Sequence, residues 1–159
     1  TGLLNRRAFD ERLARALAAA QRYRRPLSVV IADIDHFKAI NDAHGHATGD
    51  QVLIAFARLL EAQSRAVDSV ARIGGEEFAI LMPEVDAAGA TDGAERLRDA
   101  VQRMEGPEGI GITASFGVAD LLDARHDATL LLARADEALY LAKAHGRNRV
   151  AWCARAAAA

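Results

Sequence analysis

The 159-residue chain holds one cysteine, Cys153, so no disulfide can form within it, and this usage suits a reducing compartment. It lacks a basic excess. Its 20 lysines and arginines against 22 aspartates and glutamates leave a net charge of −2, which argues against a general nucleic-acid binder. It lacks any apolar run near the ~18 residues that a membrane span requires, and no signal peptide is evident. It opens on Thr1 rather than Met, which is expected of a domain cut from a longer protein. What is present is ample for a core: 51% of the residues are hydrophobic, in a length suited to one domain. We expect that domain over residues 1–153, with the low-information stretch 154–159 as a tail of linker or added sequence.

Periodicity sets out the elements. Leu4 and Phe9 flank Asn5 as a hydrophobic staple flanks an N-cap, and Phe9, Leu13 and Leu17 repeat every four residues up to Arg24, Arg25 and Pro26. Residues 27–34 form a nearly continuous apolar run, read as a buried strand. Residues 35–46 read as a polar connector. Thr48-Gly-Asp-Gln51 has the pattern of a capping box opening a helix to about Gln63. A hairpin follows, then a helix over 86–105, a loop over 106–111, a strand over 112–118, a helix over 127–144 ended by Gly146, and a last short strand at 150–152. This order predicts an α/β fold of the α+β sandwich type: one central sheet of about five strands, mostly antiparallel, flanked by helices.

The chemistry gathers at two strand ends. Residues 72–78 read Arg-Ile-Gly-Gly-Glu-Glu-Phe between two apolar runs. A Gly-Gly step joining strand-like runs predicts a hairpin, because glycine accepts positive φ at both turn positions. Glu76 and Glu77 then sit where backbone approaches a ligand closely. Upstream, Asp33 and Asp35 close the first strand. Residues i and i+2 share a strand face, so both are expected at one site, and four converging acids predict divalent-metal and phosphate chemistry. Asp33 follows Val29-Val-Ile-Ala32, so it is expected to be partly buried, and a buried carboxylate calls for a partner or a metal. Hard oxygen ligands suit Mg²⁺. Of the two glutamates, Glu76 is nearer the turn and is expected to face Asp33. The plainer alternatives are a turn cap for Asp35 and a solvated hairpin tip for the glutamates.

Other candidates leave two readings open. Lys143 and Arg147 either complement the negative end of the last helix or clamp phosphate. Asn41 and Asp50 could read a guanine edge, while Asp50 alone reads better as a first-turn helix acid. Arg65 and Asp68 form an Arg-x-x-Asp step that by itself is a surface ion pair. His44 and His46, two residues apart and without a cysteine partner, are too sparse for zinc.

Taken together these residues resemble the GGDEF-domain family, the diguanylate cyclases. The resemblance covers nearly the whole chain: Thr1-Gly-Leu-Leu-Asn-Arg-Arg7, Asp33-Ile-Asp-His-Phe-Lys38, Asn41-Asp-x-x-Gly-His46, Gly49-Asp50, Arg72-x-Gly-Gly-Glu-Glu-Phe78, Ala114-Ser-Phe-Gly-Val118, and Ala135-Asp-Glu-Ala-Leu-Tyr140 leading into Ala142-Lys-x-x-Gly-Arg-Asn148. The third signature letter is Glu in place of Asp, a variant compatible with activity.

The resemblance implies a nucleotide-cyclase or polymerase-palm-like fold and the joining of two GTP molecules into cyclic di-GMP with release of two pyrophosphates. It implies two Mg²⁺ or Mn²⁺ ions per active site, held by Asp33, the Ile34 carbonyl and Glu76, with Glu77 in support. Glu76, Glu77 and Lys38 would be the catalytic residues. Lys38 and the amides near Phe37 would meet the β- and γ-phosphates, with Lys143 and Arg147 adding charge. Gly74 and Gly75 would let the nucleotide approach, and Asn41, His46 and Asp50 would border or read guanine. Arg65, Asp68 and Arg96 would form an inhibitory site for the product. Each domain would hold one GTP, so the ring would close only in a homodimer. An upstream sensor or receiver domain is expected in the full-length protein, and a cytoplasmic location for this part whether or not the whole is membrane-anchored. The loop 105–111 is short for the family. Two other readings stand beside this one: a catalytically silent module that senses GTP or cyclic di-GMP, and a different palm-like nucleotidyl transferase. Intact Asp33, Lys38, Glu76 and Glu77 weigh against the first. The net charge of −2 weighs against a polymerase, and the Asn41/Asp50 pair weighs against an ATP substrate.

Overall fold

The computed structural model describes residues 1–122 and 124–153; the tail 154–159 lies outside the described residues. In chain order the elements are α1 (Arg6–Tyr23), β1 (Leu27–Ile34), α2 (Phe37–His44), α3 (His46–Gln63), β2 (Ser69–Arg72), β3 (Glu77–Pro83), α4 (Ala87–Arg103), β4 (Ala114–Asp120), α5 (Ala128–Ala144) and β5 (Val150–Trp152). The sheet order is β2-β3-β1-β4-β5, antiparallel except for the β4–β5 pair. The α+β sandwich with five mostly antiparallel strands is therefore as expected.

Every residue of β1 is buried, because it is the central strand and both of its faces are covered. Val30, Ala32 and Ile34 join Phe78, Ile80 and Phe116 under Val52 and Phe56 of α3 and Leu97 and Val101 of α4. Val29 and Ile31 join Ala79 and Leu81 under Phe9 and Leu13 of α1 and Leu131, Ala135 and Leu139 of α5. A strand buried on two faces reads as a continuous apolar run. The same alternation decides the site, since Asp33 falls on the α5 face with Val29 and Ile31. That helix lies unusually close to β4. A Cβ at Gly117 would stand 2.2 Å from the Ala135 carbonyl oxygen and 2.3 Å from the Leu139 nitrogen, so only glycine admits the contact.

Three expectations are corrected. Residues 37–44 of the supposed connector form α2, entered through His36 at φ 54°. The Thr48 capping box does not form: α3 starts at His46 directly after Gly45, which at φ 87° turns the chain, and Thr48 is buried within the first turn. Strand β4 runs two residues later than its apolar pattern, because its pairing with β1 continues to Asp120, opposite Ser28. At the N-terminus, Leu4 forms a parallel bridge with Ala71, and the Arg72 N–H donates to the Leu4 carbonyl at 2.9 Å.

Candidate active site

The site forms where β1 and β3 end. In the antiparallel register Asp33 pairs with Glu77, so these two side chains share a face. The expectation that Glu76 faces Asp33 is thus corrected: Glu77 does, and Glu76 sits one residue nearer the tip, its carbonyl accepting the Ile34 N–H at 3.4 Å. Both glutamates are half-buried.

The hairpin is present, but neither glycine adopts positive φ. The turn closes instead through the Ile73 and Gly74 N–H groups, which both donate to the Glu77 carbonyl at 3.0 and 3.2 Å. A Cβ at position 74 would stand 2.7 Å from Glu77 Oε2, so any other residue there would displace the Glu77 carboxylate. Gly75 is exposed, with nothing near its missing side chain. The Arg72 guanidinium grips the turn from below, donating to the Gly74 carbonyl at 3.2 Å and to the Gly75 carbonyl at 2.8 Å.

Asp33 is 6% exposed, and Lys143 of α5 reaches it with Nζ 2.9 Å from Oδ2. Burial raises the Asp33 carboxyl above its ordinary range. Lys143 pulls it back down, and the charges of Glu77 and Asp35 push it further up. A buried carboxylate with one cationic partner and a second carboxylate across the ladder favours additional positive charge nearby.

The four acids do not converge as expected. Asp35, 4% exposed, is wholly occupied by the fold: its carboxylate accepts from Thr113 Oγ1 at 2.7 Å, Ser115 Oγ at 2.7 Å and the Asn148 N–H at 2.9 Å. Among the described residues no cluster of three or more His, Cys, Asp or Glu side chains could hold an ion unaided. Asp33 and Glu77 nonetheless offer hard oxygens to an ion that keeps waters and shares substrate phosphates, the usual habit of Mg²⁺. The residues fit such a group. Thr113 and Ser115 escaped the sequence reading, although two hydroxyls at i and i+2 in an apolar strand signal a shared buried acceptor.

The start of α2 faces the same rim. His36 provides no side-chain cap, and the first backbone bond of the helix runs from Ile40 N–H to the His36 carbonyl. The Phe37, Lys38 and Ala39 amides precede that bond, an arrangement suited to an anion. The Phe37 side chain is buried and Lys38 is exposed. Asn41 packs on Gly49 so closely that a Cβ there would lie 1.8 Å from Asn41 Oδ1. That oxygen is buried and has no hydrogen-bond partner among the described residues. His46 and Asp50 are exposed one turn apart on α3, and Arg147 is exposed in the loop after α5.

Away from this rim, Arg65 clasps Asp68 through Nη2 at 2.7 Å and Nε at 3.1 Å, and also donates to the Pro83 carbonyl at 2.9 Å. Arg65, Asp68 and Arg96 line one cleft of about 300 Å³ with Met82, Gly93 and Leu97.

Fold and site define an α+β domain with an acidic rim where β1 and β3 end. The family model described as "Diguanylate cyclase, GGDEF domain" matches residues 1–149. Response regulator PleD of Caulobacter vibrioides is 42% identical over 155 residues, covering 94% of this chain and 34% of PleD. Diguanylate cyclase DosC of Escherichia coli is 41% identical over 154 residues, covering 94% of this chain and 33% of DosC. The chain thus spans about a third of the length of these relatives. Among solved structures, the active GGEEF domain of a diguanylate cyclase from Vibrio cholerae superposes with a TM-score of 0.89 at 38% identity, covering 94% of this chain and 96% of that one. The GGDEF domain of DgcB from Caulobacter crescentus, in complex with c-di-GMP, gives 0.87 at 38% identity, covering 95% and 91%. The chain belongs to the GGDEF-domain family of the diguanylate cyclases. No helix among the described residues is long and apolar enough to cross a membrane.

Proposed function

We propose that this chain condenses two GTP molecules into cyclic di-GMP, with one GTP bound per domain of a homodimer. The observation that carries the reading is the buried Asp33, paired with Lys143, opposite Glu77 and beside the uncapped start of α2. In each half-reaction a ribose 3′-oxygen attacks the α-phosphorus of the facing GTP, a P–O bond forms, and pyrophosphate leaves in line. Asp33, the Ile34 carbonyl, Glu76 and Glu77 would hold Mg²⁺ or Mn²⁺, two ions per site, which when bound supply charge neutralisation at the phosphates and a lowered hydroxyl pKa. Glu76 at the turn receives the 3′-hydroxyl proton on its carboxylate. The α2 amides and Lys38 hold the β- and γ-phosphates, with Lys143 and Arg147 as further positive charge. Gly74 and Gly75 let the nucleotide approach the turn, and Asn41, His46 and Asp50 border or read the guanine. Holding two reactants face to face contributes much of the rate.

Product feedback follows from the second cleft, where two arginines and a carboxylate suit guanine and phosphate. DgcB bound to c-di-GMP supports such an occupant. Control by an upstream sensor or receiver domain, and a cytoplasmic setting, belong to the same proposal.

The test is incubation of the purified chain with GTP and Mg²⁺ and detection of cyclic di-GMP by mass spectrometry. The parent is expected to make product, and Glu76→Ala is expected to lose at least about a hundredfold in rate. Binding of GTP without turnover, even under forced dimerisation, would instead establish a silent sensor.

A further inference from the structure

We propose that Asn148 is a positioning residue whose side chain, clasped to α4, sets the phosphate-side loop against the carboxylate side of the site. This rests on the cyclase reading above. The loop after α5 carries Arg147, four residues beyond Lys143 in the last turn of that helix. Its backbone is held at three places. The Arg147 N–H donates to the Ala142 carbonyl at 3.0 Å, the Arg149 carbonyl accepts from the Phe116 N–H at 2.9 Å, and between them the Asn148 N–H donates to Asp35 Oδ2 at 2.9 Å. Arg147 and Asn148 both stand in the left-handed region, at φ 64° and 44°. Asparagine tolerates that region better than most residues, whereas arginine at 147 is there because its neighbours hold it.

The side chain of Asn148 makes the fourth connection. Its Oδ1 accepts from Arg98 Nη1 at 3.1 Å and its Nδ2 donates to Gln102 Oε1 at 3.3 Å. Arg98 is itself fixed by Glu95 at 2.8 Å. Asn148 thus touches α4 with its side chain and Asp35 with its backbone, and Asp35 lies two residues beyond Asp33. A shift of this loop along the sheet edge would move Arg147 relative to Asp33 without unfolding anything. Misplacement by about 1 Å is enough to lose much of a positioning advantage.

The substitutions separate this role from simple stability. Asn148→Gly keeps the left-handed backbone and the N–H to Asp35 and removes only the clasp. Asn148→Asp keeps the acceptor for Arg98. The ligand is 3′-deoxy-GTP with Mg²⁺, which lacks the attacking hydroxyl and cannot be cyclised; GMP, with a single phosphate, is the comparison, and both affinities are measured by calorimetry. For Asn148→Gly the affinity for 3′-deoxy-GTP is expected to fall about tenfold, with GMP affinity unchanged and Asn148→Asp restoring most of the loss. Arg98→Met is expected to weaken triphosphate binding as well, and the double variant is expected to be no worse than the weaker single one. Unchanged triphosphate affinity in Asn148→Gly, an equal loss for GMP, or additive losses in the double variant would overturn the inference. A parent that binds 3′-deoxy-GTP but makes no cyclic di-GMP from GTP would overturn the cyclase reading and leave the affinity comparison to decide this one. A parent that binds no triphosphate would overturn both.

Discussion

Asp33 shows how much one side chain is asked to do. It is an acid placed in a core, and its desolvation is the largest influence on it. Its folded pKa lies above the ordinary value of 3.8, so between those two pH values the folded state binds more protons than the unfolded one. Asp33 therefore favours folding fully below the ordinary value, and that contribution is lost as pH rises through the raised folded value. In metal-free protein, Asp33→Asn is expected to melt at a temperature equal to or above the parent's at neutral pH, with the gap closing towards pH 3.8. The same variant is expected to lose turnover by at least about a hundredfold. A melting series in pH and a rate measurement check the two halves separately. A variant less stable than the parent at neutral pH would show that the Lys143 pair outweighs burial. Asp33 and its burial were legible in the sequence because the apolar run brackets it. The choice between Glu76 and Glu77 was not, because it depends on register, which the turn fixes and composition does not.

At the scale of elements, local signals were read well where they act locally. Asn5 caps α1, its Oδ1 accepting the Ala8 N–H at 2.9 Å, and Asp86 and Asp127 cap α4 and α5 in the same way. Asn5→Ala is expected to cost about 1 kcal/mol and to lower the melting midpoint by about 2–4 °C, as a thermal scan would show. The bounds of β1 were legible from its apolar run. Helix α2 was missed because it has only eight residues, no side-chain cap and one buried side chain, Phe37, so capping gives no signal and so short a run does not stand out from a polar connector. What stabilises it is the packing of Asn41 and Phe37 over Gly49 of α3, a contact between helices. The absence of a cap that hid α2 in the sequence also leaves its first amides available to an anion.

For the molecule as a whole, the two clefts answer to different parts of the sheet. The proposed reacting rim lies at the ends of β1 and β3, while the Arg65–Asp68–Arg96 cleft lies between α4 and the turn leading into β2. Arg65→Ala is expected to raise the cyclic di-GMP concentration for half-inhibition by at least about tenfold while leaving the initial rate within about twofold. Initial rates over a product titration would show this, and unchanged inhibition would remove the cleft from the mechanism. The Arg-x-x-Asp pair was visible as a motif and Arg96 was joined to it through the family resemblance, while the cleft that the three line together is a property of the fold.

The Arg72 contacts join the chain's first residues to its chemistry. Its N–H holds the Leu4 carbonyl, and its guanidinium holds the two glycine carbonyls of the turn that carries Glu76 and Glu77. One residue thus fastens both the start of the chain, at Leu4, and the turn that carries the two glutamates, so these two distant parts of the sequence share a single point of attachment.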